Sequence, residues 1–308
     1  MAEHAALPKI AFLGTGLMGK PMAARLLKAA YPLTVWNRSP EKAFALTRLG
    51  ARIAASPLDA VYDGGDPADI VISMLADGGA VAETLRLALP GLLDGSVWVD
   101  MSSTQQAEAR QFAAILRDKA VNFIDAPVSG GVTGAEAGTL AIMAGAAPQA
   151  YARVEQMLQV LGRPTRVGDP GSGQLAKLCN QLIVGGTINI VAEALLLAQA
   201  GGADPAAVRQ ALRGGFAESR ILEVHGQRML ERQFIPGGQV KSQAKDMENI
   251  LAAAAEAGLQ LPLAQLVTEV YRHLRQTHPA ADHAAALLQL ESQNPGRRVG
   301  TQADTLPE

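Results

Sequence analysis

A glycine-rich run near the start of the chain, Gly14-Thr15-Gly16-Leu17-Met18-Gly19, has the spacing that binds a pyrophosphate group. Residues 9–13 before it predict a strand, and residues 20–30 after it predict a helix. The first glycine then permits a tight turn, the second lets a phosphate approach the backbone, and the third lets the helix pack closely. The helix start offers free N–H groups to the phosphates. The run therefore predicts a dinucleotide site made by these six residues; the alternative is an ordinary β-α turn.

The second predicted strand, residues 33–36, ends in Asn37-Arg38-Ser39. An NAD site usually has an acidic residue here, which accepts hydrogen bonds from the ribose 2′-hydroxyl. Asn37 lacks the charge that would repel a 2′-phosphate, Arg38 can pair with that phosphate, and Ser39 can add a hydroxyl. These residues favour NADP as the cofactor. The alternative is that Arg38 stacks on the adenine and that the site accepts NAD as well.

Two further strands are predicted to end beside the cofactor, because ligands of open parallel sheets bind at the carboxyl ends of the strands. One ends in Met74-Leu75-Ala76-Asp77 and the other in Asp100-Met101-Ser102-Ser103. We predict that Met74 and Leu75 contact the cofactor. Asp77 has a second interpretation, as the N-cap of the helix that follows.

A second turn that can bind an anion lies in Asp125-Ala126-Pro127-Val128-Ser129-Gly130-Gly131, after a predicted strand. Successive N–H groups without obstructing side chains can hold a carboxylate, and the serine hydroxyl adds a donor. From the residues alone, a plain turn leading to Gly134 and Gly138 explains the pattern equally well.

A lysine capable of proton transfer lies in Gly171-Ser172-Gly173-Gln174-Leu175-Ala176-Lys177-Leu178-Cys179-Asn180, which begins a long predicted helix. Lys177 and Asn180 are three residues apart and so share a helix face. Hydride transfer to an aldehyde leaves an alkoxide, which needs a proton and a nearby positive charge. A lysine on a buried helix can supply both, and desolvation can lower its pKa toward neutrality. The alternative is a helix lysine whose ammonium reaches solvent.

The glycine run at residues 14–19, the turn at residues 125–131 and the helix start at residues 171–180 closely resemble, in this order, the motifs of the β-hydroxyacid dehydrogenases. The resemblance runs from about residue 9 to residue 292. It implies that Lys177 is the general acid/base and that Asn180 orients the ammonium or binds the substrate oxygen. It also implies a substrate site formed by Ser129, Gly130, Gly131, Lys177 and Asn180.

The resemblance extends to two further cofactor contacts. Ser103 is at a position near the nicotinamide where relatives often have threonine. Lys245 belongs to a Lys-Asp pair that the family places at the nicotinamide end; its alternative is a surface charge pair.

Within the family, Arg213-Gly214-Gly215-Phe216-Ala217-Glu218-Ser219-Arg220 and Ala281-Asp282-His283 are most similar to the tartronate semialdehyde reductases. The resemblance implies reduction of 2-hydroxy-3-oxopropionate to glycerate with NADPH or NADH. The main alternative is a 3-hydroxyisobutyrate dehydrogenase, or another short-chain 3-hydroxyacid or semialdehyde dehydrogenase. A protein of another class, a non-catalytic dinucleotide sensor, would have lost the lysine or the serine-glycine-glycine turn, and an imine reductase would have another residue in place of Lys177.

The elements that position these motifs predict an α/β Rossmann-type N-terminal domain with a mostly parallel doubly wound sheet, followed by an all-α C-terminal domain. Short apolar runs alternate with amphipathic ones in the first half, as is typical of parallel β-α units. The predicted strands are residues 9–13, 33–36, 70–74, 97–100, 123–126 and 140–144, and the predicted helices are residues 20–30, 41–49, 79–89 and 107–119.

The predicted domain boundary lies near residue 169, where β-rich runs stop. We assign residues 1–169 to the dinucleotide-binding domain and residues 170–292 to a helical substrate and oligomerisation domain, which begins with a long interdomain helix over residues 174–200. Residues 293–308 are expected to be a flexible polar tail. The apolar helices of the second domain predict a homo-oligomer, either a dimer or a tetramer.

Composition narrows the class of partner. The 308 residues carry a formal net charge of −2 and no long basic run, so neither a nucleic acid nor a membrane is expected as a partner. A small anionic substrate remains compatible. The long apolar helix is interrupted by Asn180, Gln181, Asn189 and Glu193, which favours a core helix over a membrane span.

The cysteine and histidines indicate neither a disulfide nor a metal. Cys179 is the one cysteine and fits a reducing cytoplasm; we expect it to pack in the core. The absence of a signal-like start also favours the cytoplasm. The spacing of the histidines lacks a metal-binding pattern, so no metal is expected. They are His4, His225, His273, His278 and His283.

Overall fold

A computed structural model describes residues 6–307, and the chain divides into two compact units, residues 1–177 and 178–308. The predicted boundary at residue 169 precedes the long helix, whereas the observed division falls inside that helix. Its first turns belong to the first unit because their backbone groups are bound by that unit, as described below. His4, considered above as a metal ligand, lies outside the described residues.

The first unit is a mostly parallel sheet with helices on both faces, which confirms the Rossmann-like class. Its strands are β1 (Ile10–Leu13), β2 (Leu33–Trp36), β3 (Arg52–Ile53), β4 (Tyr62–Asp63), β5 (Asp66–Pro67), β6 (Ile70–Ser73), β7 (Val97–Asp100), β8 (Asn122–Asp125), β9 (Val128–Ser129), β10 (Leu140–Gly145) and β11 (Gly162–Gly168). Its helices are α1 (Gly19–Lys28), α2 (Phe44–Thr47), α3 (Pro57–Val61), α4 (Gly78–Ala88), α5 (Gln106–Arg117), α6 (Gly131–Ala137) and α7 (Pro148–Leu161).

The strand order of the main sheet is β11-β10-β8-β7-β6-β1-β2-β3, with β9 paired to β10. From β3 to β8 the neighbours are parallel, and β10 runs antiparallel to β8. Each face of the sheet has its own apolar core, because successive side chains of β1 point to opposite sides: Phe12 packs in one cluster and Leu13 in the other. Burial on both faces explains why these strands are continuous apolar runs in the sequence.

The second unit is helical, as predicted, and its core contains buried residues of α8 (Ser172–Ala200), including Ile188 and Leu195. The other helices are α9 (Pro205–Leu212), α10 (Arg220–Leu230), α11 (Val240–Glu256), α12 (Pro262–Thr277) and α13 (Ala286–Ser292). Helix α8 ends just before Gly201-Gly202, and the Asp204 side chain caps α9 by accepting from the Ala206 N–H at 3.0 Å.

Helix α8 is long and apolar enough, by length and composition alone, to cross a membrane. Its buried residues in the second unit pack against the neighbouring helices, and its polar side chains have partners there: Asn189 donates to the Gly185 carbonyl at 2.8 Å. Packing in a protein core therefore accounts for the buried part of its apolar composition, whereas Ile183, Ile190 and Leu197 are exposed.

Two expectations about this part of the chain are wrong. Cys179 is exposed rather than packed in the core, because residues 6–307 leave it uncovered on its face of α8. The segment after residue 292 is not a loose tail: Val299 is fully buried, and Thr305 pairs with Gln233. The physical reason is Arg232, a fully buried guanidinium whose Nε donates to the Asp304 carboxylate at 2.6 Å.

Candidate active site

The glycine-rich loop has the geometry expected of a pyrophosphate site. Gly14 has a φ of +104°, and a Cβ there would lie 2.3 Å from the Met74 carbonyl oxygen. A Cβ on Gly19 would lie 1.9 Å from the Gly14 carbonyl oxygen, so the helix and the loop touch. A Cβ on Gly16, in contrast, would meet no described atom within 4 Å. The second glycine thus faces open space, where a ligand can approach the backbone.

A dinucleotide fits this loop on one further observation. The Thr15 hydroxyl is buried and has no hydrogen-bond partner among residues 6–307. The cavity of about 700 Å³ that borders Gly16 and Leu17 runs along α1, α2 and α6, and its lining includes neither Arg38 nor Met74. Leu17 itself is largely exposed, and Met18 packs partly against the core.

Asn37 joins the loop to the end of β2. Its side-chain oxygen accepts from the Thr15 N–H at 2.8 Å, and its amide nitrogen donates to the Ser39 carbonyl at 2.9 Å. Both polar atoms of the side chain are therefore engaged in holding the loop. Arg38, the next residue, is exposed, and its guanidinium is available to an anionic ligand.

The ends of β6 and β7 meet the loop as the topology predicts. The Met74 N–H donates to the Leu13 carbonyl at 2.9 Å, and the Leu75 N–H donates to the Ser102 hydroxyl at 2.9 Å. Ser103 follows Ser102 and is exposed. Asp77 is an N-cap: its carboxylate accepts from the Ala80 N–H at 2.9 Å, so the alternative stated for it is confirmed.

Lys177 lies beside the serine-glycine-glycine turn. Its ammonium donates to the Val128 carbonyl at 3.0 Å, and Val128 directly precedes Ser129. The amine is therefore turned toward that turn and is partly buried. Gly130 and Gly131 follow with φ values of +142° and +63°, and both are exposed. Residues other than glycine rarely adopt these backbone angles, so the backbone conformation requires glycine at both positions.

A buried carboxylate, that of Asp125, supports the first turn of α8. Asp125 ends β8 and lies beside Asp100, which ends β7 in register with it. The Asp125 carboxylate accepts from the N–H groups of Gly171 and Gln174 at 2.7 Å and 2.8 Å. Burial raises the pKa of Asp125 to about 7, and the charge of Asp100 acts in the same direction. Burial also raises the pKa of Asp100 to about 6.

The remaining site residues lie in the second unit. The Asn180 amide nitrogen donates to the Gln181 side-chain oxygen at 2.8 Å, and the Gln181 amide nitrogen donates to Asp246 at 2.7 Å. Asp246 is the acidic member of the Lys-Asp pair, and Lys245 is exposed on α11. The roles of Asn180 and Lys245 stay predictions.

A group of possible metal ligands appears where local spacing indicated none. The ligand atoms of His225, Asp282 and His283 lie within 4.8 Å of one another. His225 is far in sequence from the other two residues, so a search for closely spaced ligands does not find the group. Asp282 already accepts from the N–H groups of Gly237 and Ala284, at 2.8 Å and 3.0 Å. Arg228 also lies 3.6 Å from its carboxylate. The positive charge of Arg228 and the hydrogen bonds that the Asp282 carboxylate already accepts make this a poor site for a metal ion.

Sequence reasoning missed the roles of Asp125, Gln174 and Asp100. Asp125 and Gln174 lie inside the quoted motifs, but nothing in their spacing shows that residues 49 positions apart are bonded. The available signal was a carboxylate at the end of an apolar strand, which must be buried and must therefore have donors.

Two family models together match residues 9–290. The model for the NAD binding domain of 6-phosphogluconate dehydrogenase matches residues 9–188, and that for the NAD-binding domain of NADP-dependent 3-hydroxyisobutyrate dehydrogenase matches residues 171–290. The 2-hydroxy-3-oxopropionate reductase of Escherichia coli (strain K12) is 39% identical over 288 residues, which are 92% of this chain and 97% of that protein.

Solved structures of similar fold cover nearly all of this chain. The 3-hydroxyisobutyrate dehydrogenase of Mycobacterium tuberculosis with L-serine has a TM-score of 0.85 at 28% identity, over 92% of this chain and 99% of that one. Psf3 in complex with NADP+ and 2-OPP has a TM-score of 0.78 at 26% identity, over 91% of this chain and 99% of that one.

A Rossmann-like unit with an open glycine loop, followed by a helical unit, defines a nicotinamide-dinucleotide-dependent oxidoreductase. The matches over nearly the full length make the assignment narrower. The chain belongs to the β-hydroxyacid dehydrogenase family, whose members include the reductase and the dehydrogenase named above.

Proposed function

We propose that this enzyme reduces 2-hydroxy-3-oxopropionate to glycerate with NADPH, and that Lys177 is the proton donor. The observation that carries the proposal is the contact of the Lys177 ammonium with the Val128 carbonyl at 3.0 Å. This contact keeps the amine next to Ser129, Gly130 and Gly131. The similarity to the Escherichia coli reductase supports the choice of substrate.

Each of these residues has a distinct task in the proposal. The Ser129 hydroxyl and the N–H groups of Gly130 and Gly131 bind the substrate carboxylate. Lys177 faces the aldehyde oxygen and donates a proton to it as negative charge develops there, then regains a proton from solvent. The nicotinamide dinucleotide supplies the hydride when it is bound. In the reverse direction the neutral amine accepts the hydroxyl proton.

The cofactor residues in the proposal are the six of the glycine loop together with Asn37, Arg38, Ser39, Met74, Leu75, Ser103 and Lys245. NADP is favoured over NAD because the exposed guanidinium of Arg38 follows β2 and no acidic side chain stands at residue 37. The NADP+ bound to the structural relative Psf3 agrees with this choice.

Replacing Lys177 tests the function directly. In Lys177→Met we expect kcat to fall about 10²–10⁴-fold, the usual contribution of a general acid, while the KM for NADPH changes little. Oxidation of NADPH is followed at 340 nm with 2-hydroxy-3-oxopropionate. Lys119→Met, at an exposed lysine of the same unit, is the matched control and should behave as the wild type. Full turnover in Lys177→Met would refute the proposal.

Oxidation of 3-hydroxyisobutyrate is the second candidate, favoured by the family match over residues 171–290 and by the likeness to the Mycobacterium tuberculosis enzyme. A panel of short semialdehydes and 3-hydroxyacids at equal concentration separates the two, through kcat/KM. If no member of the panel is turned over while NADPH still binds, a dinucleotide sensor replaces both candidates. The cytoplasmic location and the homo-oligomer stay predictions.

A further inference from the structure

The start of helix α8 is held by two buried side chains of the first unit. Asp125 contributes both carboxylate oxygens, one to the Gly171 N–H at 2.7 Å and one to the Gln174 N–H at 2.8 Å. A side-chain acceptor at a helix start satisfies N–H groups that have no partner within the helix, and a negative charge there is favoured by the helix dipole. The cap is supplied from β8, not from the residues that precede the helix.

Glycines at two positions let Asp125 come this close. A Cβ on Gly173 would lie 2.3 Å from the Asp125 carbonyl oxygen and 2.9 Å from its Oδ2. A Cβ on Gly145 would lie 2.4 Å from Oδ1 of the same side chain. A larger residue at either place would push the helix start away from β8. Close contact between α8 and β8 is therefore required on both sides of the carboxylate.

Gln174 forms the second connection, to the loop after β7. Its side-chain nitrogen donates to the Ser102 carbonyl at 2.8 Å, and its side-chain oxygen accepts from the Thr104 N–H at 3.1 Å. The side chain is 1% exposed, so both bonds lie in a medium where an unpaired polar group is costly. The two bonded residues stand on either side of Ser103. One carboxamide thus fixes the backbone before and after that hydroxyl.

Lys177 lies three residues beyond Gln174 and so shares its face of α8. The position of the ammonium is thereby set from three places: the end of β8 through Asp125, the loop after β7 through Gln174, and β9 through the Val128 carbonyl. All three contacts lie in the first unit. A shift of the helix start would move the lysine relative to Ser103.

We infer that Gln174 and Asp125 are positioning residues, which fix the distance between the Lys177 ammonium and Ser103. The inference rests on the proposed role of Lys177 in carbonyl reduction. Neither side chain touches the reacting atoms; each acts through the helix that carries the lysine. A displacement of about 1 Å at a reacting group can cost about 100-fold in rate, so a small relaxation of this helix start has a measurable effect.

The experiment removes the bonds and leaves the volume. In Gln174→Met the new side chain has a similar length but cannot replace the two hydrogen bonds. In Asp125→Asn the new side chain has only one acceptor oxygen for two N–H groups. We expect kcat to fall about 10- to 100-fold in both, while the KM for NADPH changes less than about 3-fold. The primary deuterium isotope effect on kcat, measured with deuterated NADPH, should increase because the hydride step becomes slower than product release.

Hydrogen exchange supplies a readout that does not depend on activity. Amides of residues 171–177 should exchange at least about 5-fold faster in Gln174→Met and Asp125→Asn, because a lost cap makes the helix start open more often. Arg153→Met is the control: it removes a bond to the Gly95 carbonyl in the same unit but none to α8, and it should leave kcat and this exchange unchanged.

Gln174→Glu adds a rescue test. Its protonated carboxyl can still donate to the Ser102 carbonyl and accept from the Thr104 N–H, whereas the ionised carboxylate has no proton to donate. Its kcat relative to the wild type should therefore rise as the pH is lowered. A merely destabilised protein would show no such rise.

The outcomes separate this inference from the proposed function. Absence of turnover by the wild type over the whole substrate panel refutes the function. Wild-type exchange at residues 171–177 in both variants, or faster exchange with unchanged kcat and isotope effect, overturns the positioning roles. If Gln174→Met fails to fold, Gln174→Glu and Asp125→Asn decide the question by the same measurements.

Discussion

Asp100 makes the stability of the first unit depend on pH, and the effect can be isolated in one variant. The side chain is fully buried, its Oδ1 accepts from the Ser73 hydroxyl at 2.8 Å, and its Oδ2 has no hydrogen-bond partner among residues 6–307. Burial raises the pKa of this carboxyl from 3.8 to about 6. The folded chain therefore keeps a proton at pH 5 that the unfolded chain has lost.

The sign follows from which state binds the proton. Stability falls as pH rises wherever the folded state binds more protons, so Asp100 stabilises fully below about pH 4 and loses that contribution as pH rises through about 6. A shift of about two pKa units corresponds to ~3 kcal/mol in the free energy of unfolding. Asp100→Asn cannot titrate. Relative to the wild type, it should gain about 3 kcal/mol between pH 4 and pH 7.

The measurement is urea unfolding at pH 4, 5, 6 and 7, followed by tryptophan fluorescence. Both tryptophans of the chain, Trp36 and Trp98, lie in the first unit, so the signal reports that unit alone. Ser96→Ala is the matched control, because it removes a buried hydroxyl of the same unit that has no hydrogen-bond partner among residues 6–307, and it leaves Asp100, its donors and both tryptophans in place. Its pH dependence should parallel that of the wild type. Parallel profiles for Asp100→Asn and the wild type would show that Asp100 is ionised in the folded chain and would refute the reasoning.

Two other substitutions test the cofactor preference and the C-terminal segment. Arg38→Ala should raise the KM for NADPH about 10- to 100-fold and leave the KM for NADH nearly unchanged, because a charge-assisted bond to the 2′-phosphate is lost; an unchanged KM for NADPH in steady-state assays would remove the case for NADP. Asp304→Ala should lower the free energy of unfolding of the second unit by about 2 kcal/mol, because the buried Arg232 keeps only Glu291 as an ionic partner. Calorimetry checks the second change, and an unaltered melting temperature would contradict it.

The parts of the fold that the sequence predicts well are those where one physical pattern dominates. Strand β6 is buried on both faces, and its apolar run was predicted to within one residue. Strand β11 was not predicted, because it lies at the edge of the sheet and alternates half-buried with exposed residues, including Pro164. Strands β3 and β9 are each two residues long, which is too short to show a periodic pattern in the sequence.

The candidate site also has parts that the sequence predicts and parts that it does not. The glycine loop is recognisable because its function depends on local backbone geometry, which glycine spacing encodes. The support of α8 by Asp125 and Gln174 is not, since it depends on long-range bonds between buried polar groups. The tail was misjudged for the same reason: its polar composition suggested exposure, but one buried guanidinium, Arg232, binds it.

The division of the chain inside α8 has a practical consequence for dissecting the protein. A fragment that stops at residue 169 would discard the two amides that Asp125 binds, and would leave its carboxylate without those donors. Trimming at a helix boundary, the usual choice for excising a domain, would thus damage the piece that is kept. The first unit is better expressed with the opening turns of the helix attached.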